Sequence, residues 1–241
     1  MLISLFSMMR AMDDKLLGFV AILAYLIAIL GAIILHEFAH GVVAYRNGDY
    51  TAKMSGRLSL NPAKHFDPIG FLMLALIGFG WAKPVPIDSR NFRNYKRGMI
   101  TTSIAGVVCN VIQAFLAMSC IAILAAILGD TVVFESRNFA YYFVNFTVYL
   151  LQYSATVNLT LFAFNLIPIY PLDGFRVVET LAKPYNRYVE FNYRYGSFLL
   201  LGLLVLSNVL GYISPYLDIL GLYMGAVSSA VRQLFSLILG M

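Results

Sequence analysis

His36-Glu37-Phe38-Ala39-His40 is the stretch of this 241-residue sequence whose residue types and spacing could do chemistry together. Residues four apart on a helix share a face, so both imidazoles can reach one metal ion. Glu37, one position along, can then polarise water bound to it. Zinc held this way lowers the pKa of its water from about 16 to about 7, which makes a nucleophile at neutral pH. Such short patterns also arise by chance, but this one stands inside an apolar run over residues 16–45. Two His and a Glu are expensive to bury there, and ionisable groups at membrane depth point to function. Two His leave a tetrahedral site one protein ligand short if water is to keep the fourth position. Asp173 and His65 are the donors to weigh. Asp173 follows Pro168 and Pro171, which interrupt the apolar run over residues 141–168 at a depth similar to that of His36. Broken backbone at that depth is tolerated where it lines a polar cavity or packs in protein. The competing role for Asp173 is a helix N-cap. His65 sits in a loop beside Lys64 and suits a supporting or surface role better than a ligand's.

The elements that must position these residues are set by composition. Hydrophobic residues make up 60% of the chain and charged ones 12%, against about 25% charged in soluble domains. So little charge cannot cover a water-facing surface, which excludes a soluble enzyme as well as disordered, collagenous and disulfide-rich classes. Cys109 and Cys120 share a helix face but sit about 16 Å apart along it, too far for a disulfide, and read as small buried hydrophobes. Candidate spans are residues 16–45, 100–128, 141–168, 197–213 and 219–239. Residues 68–81 would reach only about 21 Å as a helix, against a hydrocarbon core of about 30 Å.

Of the 17 Lys and Arg residues, 13 fall within residues 46–64, 83–97 and 176–194. All three segments share one side if residues 68–81 dip into the membrane and return, and the positive-inside rule makes that side cytoplasmic. The expectation is an all-α polytopic membrane protein of five to six transmembrane helices, N-terminus outside, with a short re-entrant segment. Small membrane-associated β-strands complete it. Arg57-Leu58-Ser59-Leu60 alternates like a half-buried strand, and Lys83-Pro84-Val85-Pro86-Ile87 cannot be helical. These stretches could offer an edge to an extended peptide, or be plain loops. Residues 1–241 are read as one domain, with a catalytic core over about 16–185 and a C-terminal helical hairpin over about 190–241. No basic face stands clear of the membrane to bind nucleic acid. A transporter would call for a repeated broken-helix pattern, which is absent from the sequence.

The His36-to-His40 motif, together with Asn165-Leu166-Ile167-Pro168 and Pro171-Leu172-Asp173-Gly174, resembles the site-2 protease family of intramembrane zinc metalloproteases. Gly56-Arg57-Leu58-Ser59-Leu60-Asn61-Pro62, His65-Phe66-Asp67-Pro68-Ile69-Gly70 and Trp81-Ala82-Lys83-Pro84-Val85-Pro86 are similar to its compact prokaryotic branch, which lacks an inserted PDZ domain. The resemblance implies one zinc per chain held by His36, His40 and Asp173, with Glu37 as general base. It further implies a transmembrane protein substrate, a lipid bilayer as setting, and an active site near the cytoplasmic side of a bacterial inner membrane. Asn165 corresponds to the family's asparagine beside the active site. Gly106 and Asn110 resemble a Gly-x-x-x-Asn helix motif, but Val107 stands where a proline commonly follows the glycine. The amides of Asn165 and Asn110 either hold substrate backbone or a developing oxyanion, or bond to neighbouring helices. A proteolytically silent membrane protein that binds zinc or a partner helix is the alternative, although mere binding needs no base at Glu37.

Overall fold

The computed structural model describes residues 13–70, 82–128 and 137–240. Helix α1, Lys15–Arg46, begins where the Asp14 side chain accepts from Leu17 N–H at 3.0 Å. A short α2, Thr51–Met54, follows, then α3, Tyr95–Leu128, and α4, Phe139–Asn165. The short α5, Asp173–Leu181, precedes a final pair, α6 over Arg187–Ile213 and α7 over Ile219–Leu239. Asn138 and Asn186 cap α4 and α6 by accepting backbone N–H bonds, as such residues do at helix starts.

Helices α1, α3, α6 and α7 are each long and apolar enough to cross a membrane. Helix α4 has the length but is interrupted by Asn145, Gln152, Ser154 and Asn158, and it packs against both α1 and α3. Two of its amides turn back on its own backbone: Asn145 donates to Tyr141 O, and Asn158 to Ser154 O. Small residues make the close packing possible. Ala32 of α1 clusters with Val157, while Ala114 and Ala117 of α3 meet Ala155 and Leu159 of α4.

The connection between α1 and α3 leaves and returns at one end of the bundle. Arg93 N–H donates to Asn47 O at 2.9 Å, Asn47 Nδ2 to Thr101 Oγ1 at 3.0 Å, and Lys83 N–H to His65 O at 2.9 Å. Residues 71–81, most of the expected re-entrant segment, lie outside the described residues, as do 129–136 of the opposite loop. At that opposite end, Tyr142 Oη donates to Asp14, and Arg137 Nε lies 3.5 Å from the same carboxylate. Single cysteines at Lys53 and Arg93 should therefore label from one face of sealed vesicles and a cysteine at Arg137 from the other. Labelling of the first two from different faces would show that the segment between them crosses.

The expected β-strands are absent among the described residues. Arg57–Leu60 has no partner strand, because its amides are already taken: Arg57 and Leu58 N–H both donate to Ala52 O, and Ser59 N–H turns back to Arg57 O. Residues 83–87 have no regular secondary structure, and Arg57 Nη2 binds the carbonyls of Lys83 and Pro84 in place of a neighbouring chain.

Candidate metal centre

His36 and His40 lie one turn apart on α1, both buried, with their Nε2 atoms 3.0 Å apart. Asp173 Oδ2 approaches these nitrogens at 3.3 Å and 3.2 Å. Leu172, not Asp173, occupies the N-cap of α5, so the Asp173 carboxylate is free of capping and turns toward α1. The delivery of Asp173 is built from the turn after α4. Tyr188 Oη donates to Pro168 O, Asn192 Oδ1 accepts from Tyr170 N–H at 3.3 Å, and Leu172 N–H closes onto Ile169 O. Gly174 lets α5 start hard against the end of α4: a Cβ there would stand 2.5 Å from Leu166 O.

The three ligand atoms fit a metal. His40 Nδ1 sits 2.6 Å from the Thr102 carbonyl and must carry the ring proton, which leaves the Nε2 lone pair facing inward. That lone pair, His36 Nε2 and Asp173 Oδ2 converge, and Asp173 Oδ2 is buried with no hydrogen-bond donor. Convergent lone pairs repel unless a cation lies between them. Their spacings of 3.0, 3.2 and 3.3 Å are close to the edge of a tetrahedron with zinc-to-ligand bonds of about 2.0–2.1 Å, roughly 3.3–3.4 Å.

Helix α3 closes the back of the site. Gly106 lies against both imidazoles, and a Cβ there would fall 2.5 Å from His36 Cε1 and 2.7 Å from its Nδ1. Gly106→Ala should therefore turn the rings out of position and weaken metal affinity about 10- to 100-fold, the range seen when a ligand's support is lost. Chelator competition measures this, and unchanged affinity would show that the rings yield freely. The helix runs unbroken through the buried Val107, where the resembled motif carries proline.

The remaining candidates fall at different distances from this centre. Asn165, the last residue of α4, donates Nδ2 to Leu161 O at 3.0 Å. It lines the same cavity as His36 and Glu37, a space of about 590 Å³ that runs on to Ser207 and Asp218. Asn110 is fully buried one turn beyond Gly106, and neither amide atom has a hydrogen-bond partner, so it does not tie helices together. His65 is buried rather than on the surface; its Nε2 lies 2.7 Å from Ser59 O, and it is absent from the convergent group.

Glu37 brings a partner that sequence reading missed: Val85 N–H donates to its Oε2 at 2.9 Å. The extended Pro84-Val85-Pro86 stretch was the available signal. The Thr102 carbonyl that fixes the His40 tautomer has no signature in the sequence, since every residue carries one.

The sequence matches the model of peptidase family M50 over residues 24–203. It is 38% identical over 174 residues to YwhC of Bacillus subtilis, provisionally named a zinc metalloprotease, an alignment covering 72% of this chain and 76% of that protein. It is 28% identical over 160 residues to Rip2 of Mycolicibacterium smegmatis, named in the same way, covering 64% of this chain and 56% of that one. No solved structure matches the chain.

Proposed function

This chain belongs to peptidase family M50, the site-2 protease family of zinc metalloproteases, and we propose that it cuts peptide bonds in or near transmembrane segments of membrane-protein substrates. The observation that carries the reading is the convergence of His36, His40 and Asp173 beside a cavity that His36 and Glu37 line and whose walls include the membrane-length helices α1, α6 and α7. A soluble protease would present the same donors to water. In this reading α4 also spans, and the basic loops mark the cytoplasmic side, near the active site, of a bacterial inner membrane.

His36, His40 and Asp173 would hold the zinc. When bound there, zinc supplies a Lewis acid that polarises a carbonyl and lowers the pKa of water to about 7. Glu37 takes a proton from the attacking water as the new C–O bond forms, and returns it to the amine as the C–N bond breaks. One of its oxygens is held by Val85 N–H, which leaves the other for the proton. Asn165, facing the same cavity, has an amide suited to holding substrate backbone or the oxygen that gains charge.

Purified protein in vesicles should contain about one zinc per chain, a requirement of a mononuclear catalytic site. It should cut a single-span reporter at a bond mass spectrometry places in or beside the span. Cuts confined to soluble loops would overturn the intramembrane reading. Zinc without any cleavage would favour a silent binding protein.

A further inference from the structure

We propose that the Val85 backbone N–H is the group that positions Glu37, and that Gly41 is the notch in α1 that lets it reach. This rests on the reading of Glu37 as general base.

A glutamate has three side-chain torsions, and a base that wanders misses its proton. Bases are accordingly oriented by a third group. Here that group comes from a segment with one amide to give: Pro84 and Pro86 have no N–H, so Val85 carries the donor of the Pro-Val-Pro unit. It goes to Glu37 Oε2 at 2.9 Å, a charge-assisted bond when the carboxylate is ionised. A single donor holds one oxygen and leaves the other open to the cavity, which Glu37 lines together with Ala82.

The segment is seated to make this contact. Val85 is 6% exposed, and its side chain rests at Gly41, one turn beyond Glu37 on the same face of α1. A Cβ at Gly41 would stand 3.2 Å from Val85 Cγ1 and 2.9 Å from Leu58 Cδ1, so even alanine there would make Val85 give by a few tenths of an ångström and the Leu58 tip turn away. Arg57 Nη2 grips the carbonyls of Lys83 at 2.8 Å and Pro84 at 3.1 Å, and Lys83 N–H binds His65 O. Downstream, the fully buried Asp49 accepts from Asp88 N–H at 2.8 Å and Asn91 Nδ2 at 3.0 Å, which ties the returning chain to the end of α1. The main-chain carbonyl of His65 is thus one anchor of the segment that holds the base, and its ring is bound in turn at Ser59 O. With its N–H engaged, Val85 is not a free edge for pairing with substrate.

The proline flanks make the proposal directly measurable, because the exchange of backbone hydrogen within residues 84–86 reports Val85 alone. In the full-length protein this amide should exchange at least about 10-fold more slowly than an unbonded one. Glu37→Gln, whose side-chain carbonyl still accepts, should retain the protection, and Glu37→Ala should lose it. Fast exchange in the wild type, or protection that survives Glu37→Ala, overturns the contact.

The functional arm replaces valine 85 by its α-hydroxy acid, which turns the amide into an ester without the N–H. On an internally quenched single-span peptide in vesicles, kcat should fall about 10- to 100-fold, the scale of a lost hydrogen bond to a charged group. KM and zinc content should stay at wild-type values. Val85→Ala keeps the donor and should lose less than Val85→Pro. Unchanged kcat in the ester, or a change in KM alone, overturns the positioning role. Hydrolysis that persists in Glu37→Gln would instead overturn the general-base reading on which the proposal rests, while the exchange result stands by itself.

Discussion

Glu37→Gln is expected to keep its zinc and to lose peptide hydrolysis by about 10⁴-fold, roughly 5.4 kcal/mol in the barrier and the upper end of what general acid–base catalysis contributes. The substitution leaves His36, His40 and Asp173 untouched, and its side-chain carbonyl can still accept from Val85. What it removes is the capacity to take a proton from water and hand it to the leaving amine. Zinc analysis and cleavage of the single-span reporter, run on the same preparation, check both halves. Near-native hydrolysis would sink the mechanism. Loss of zinc as well would mean that Glu37 holds the site together instead of acting on the substrate. The inactive variant is also the right bait for co-purifying membrane substrates, because it should bind them and not release products.

Asp173→Ala should lose zinc and activity together, whereas His65→Ala should keep the metal and lose only part of the rate. Removing Asp173 takes one of three protein donors and leaves two buried imidazoles to hold a dication without the carboxylate that lies closest to both. In a low-dielectric surrounding that charge matters as much as the lost bond. The His65 ring, by contrast, binds the Ser59 carbonyl, while its bond from Lys83 N–H goes to a main-chain oxygen that alanine keeps, so the truncation should disturb the loop beside the Glu37 support and not the metal. Metal content by mass spectrometry separates the two variants. Zinc lost with His65 and kept without Asp173 would overturn the ligand assignment.

The convergence of His36, His40 and Asp173 was legible in the sequence because each rests on a local rule: helical periodicity for the pair, and a proline-broken helix end at matching depth for the carboxylate. The return of the chain to one end of the bundle was legible in the spread of basic residues. The strands were misread since alternation in Arg57–Leu60 says nothing about whether a partner chain lies within reach; here Ala52 O and the Arg57 guanidinium claim the backbone first. Four of the expected spans are apolar enough by themselves, while α4 lies below them in hydropathy: it carries Asn145 and Asn158, each bonded to a carbonyl of its own helix, with Asn158 buried. Contacts made by main-chain atoms, Thr102 O on His40 and Val85 N–H on Glu37, were invisible because any residue type could supply them.

The turn that delivers Asp173 is gripped from outside itself, by Tyr188 and Asn192 at the start of α6. A shortened chain stopping at residue 186 would therefore contain all three side chains of the candidate metal centre and still lack the clamp that aims the third. The residues that hold the candidate site thus run on into the penultimate helix, beyond those that carry its motifs. Loss or repacking of that helix would read out as a metal defect, though none of its residues touches the metal-binding atoms.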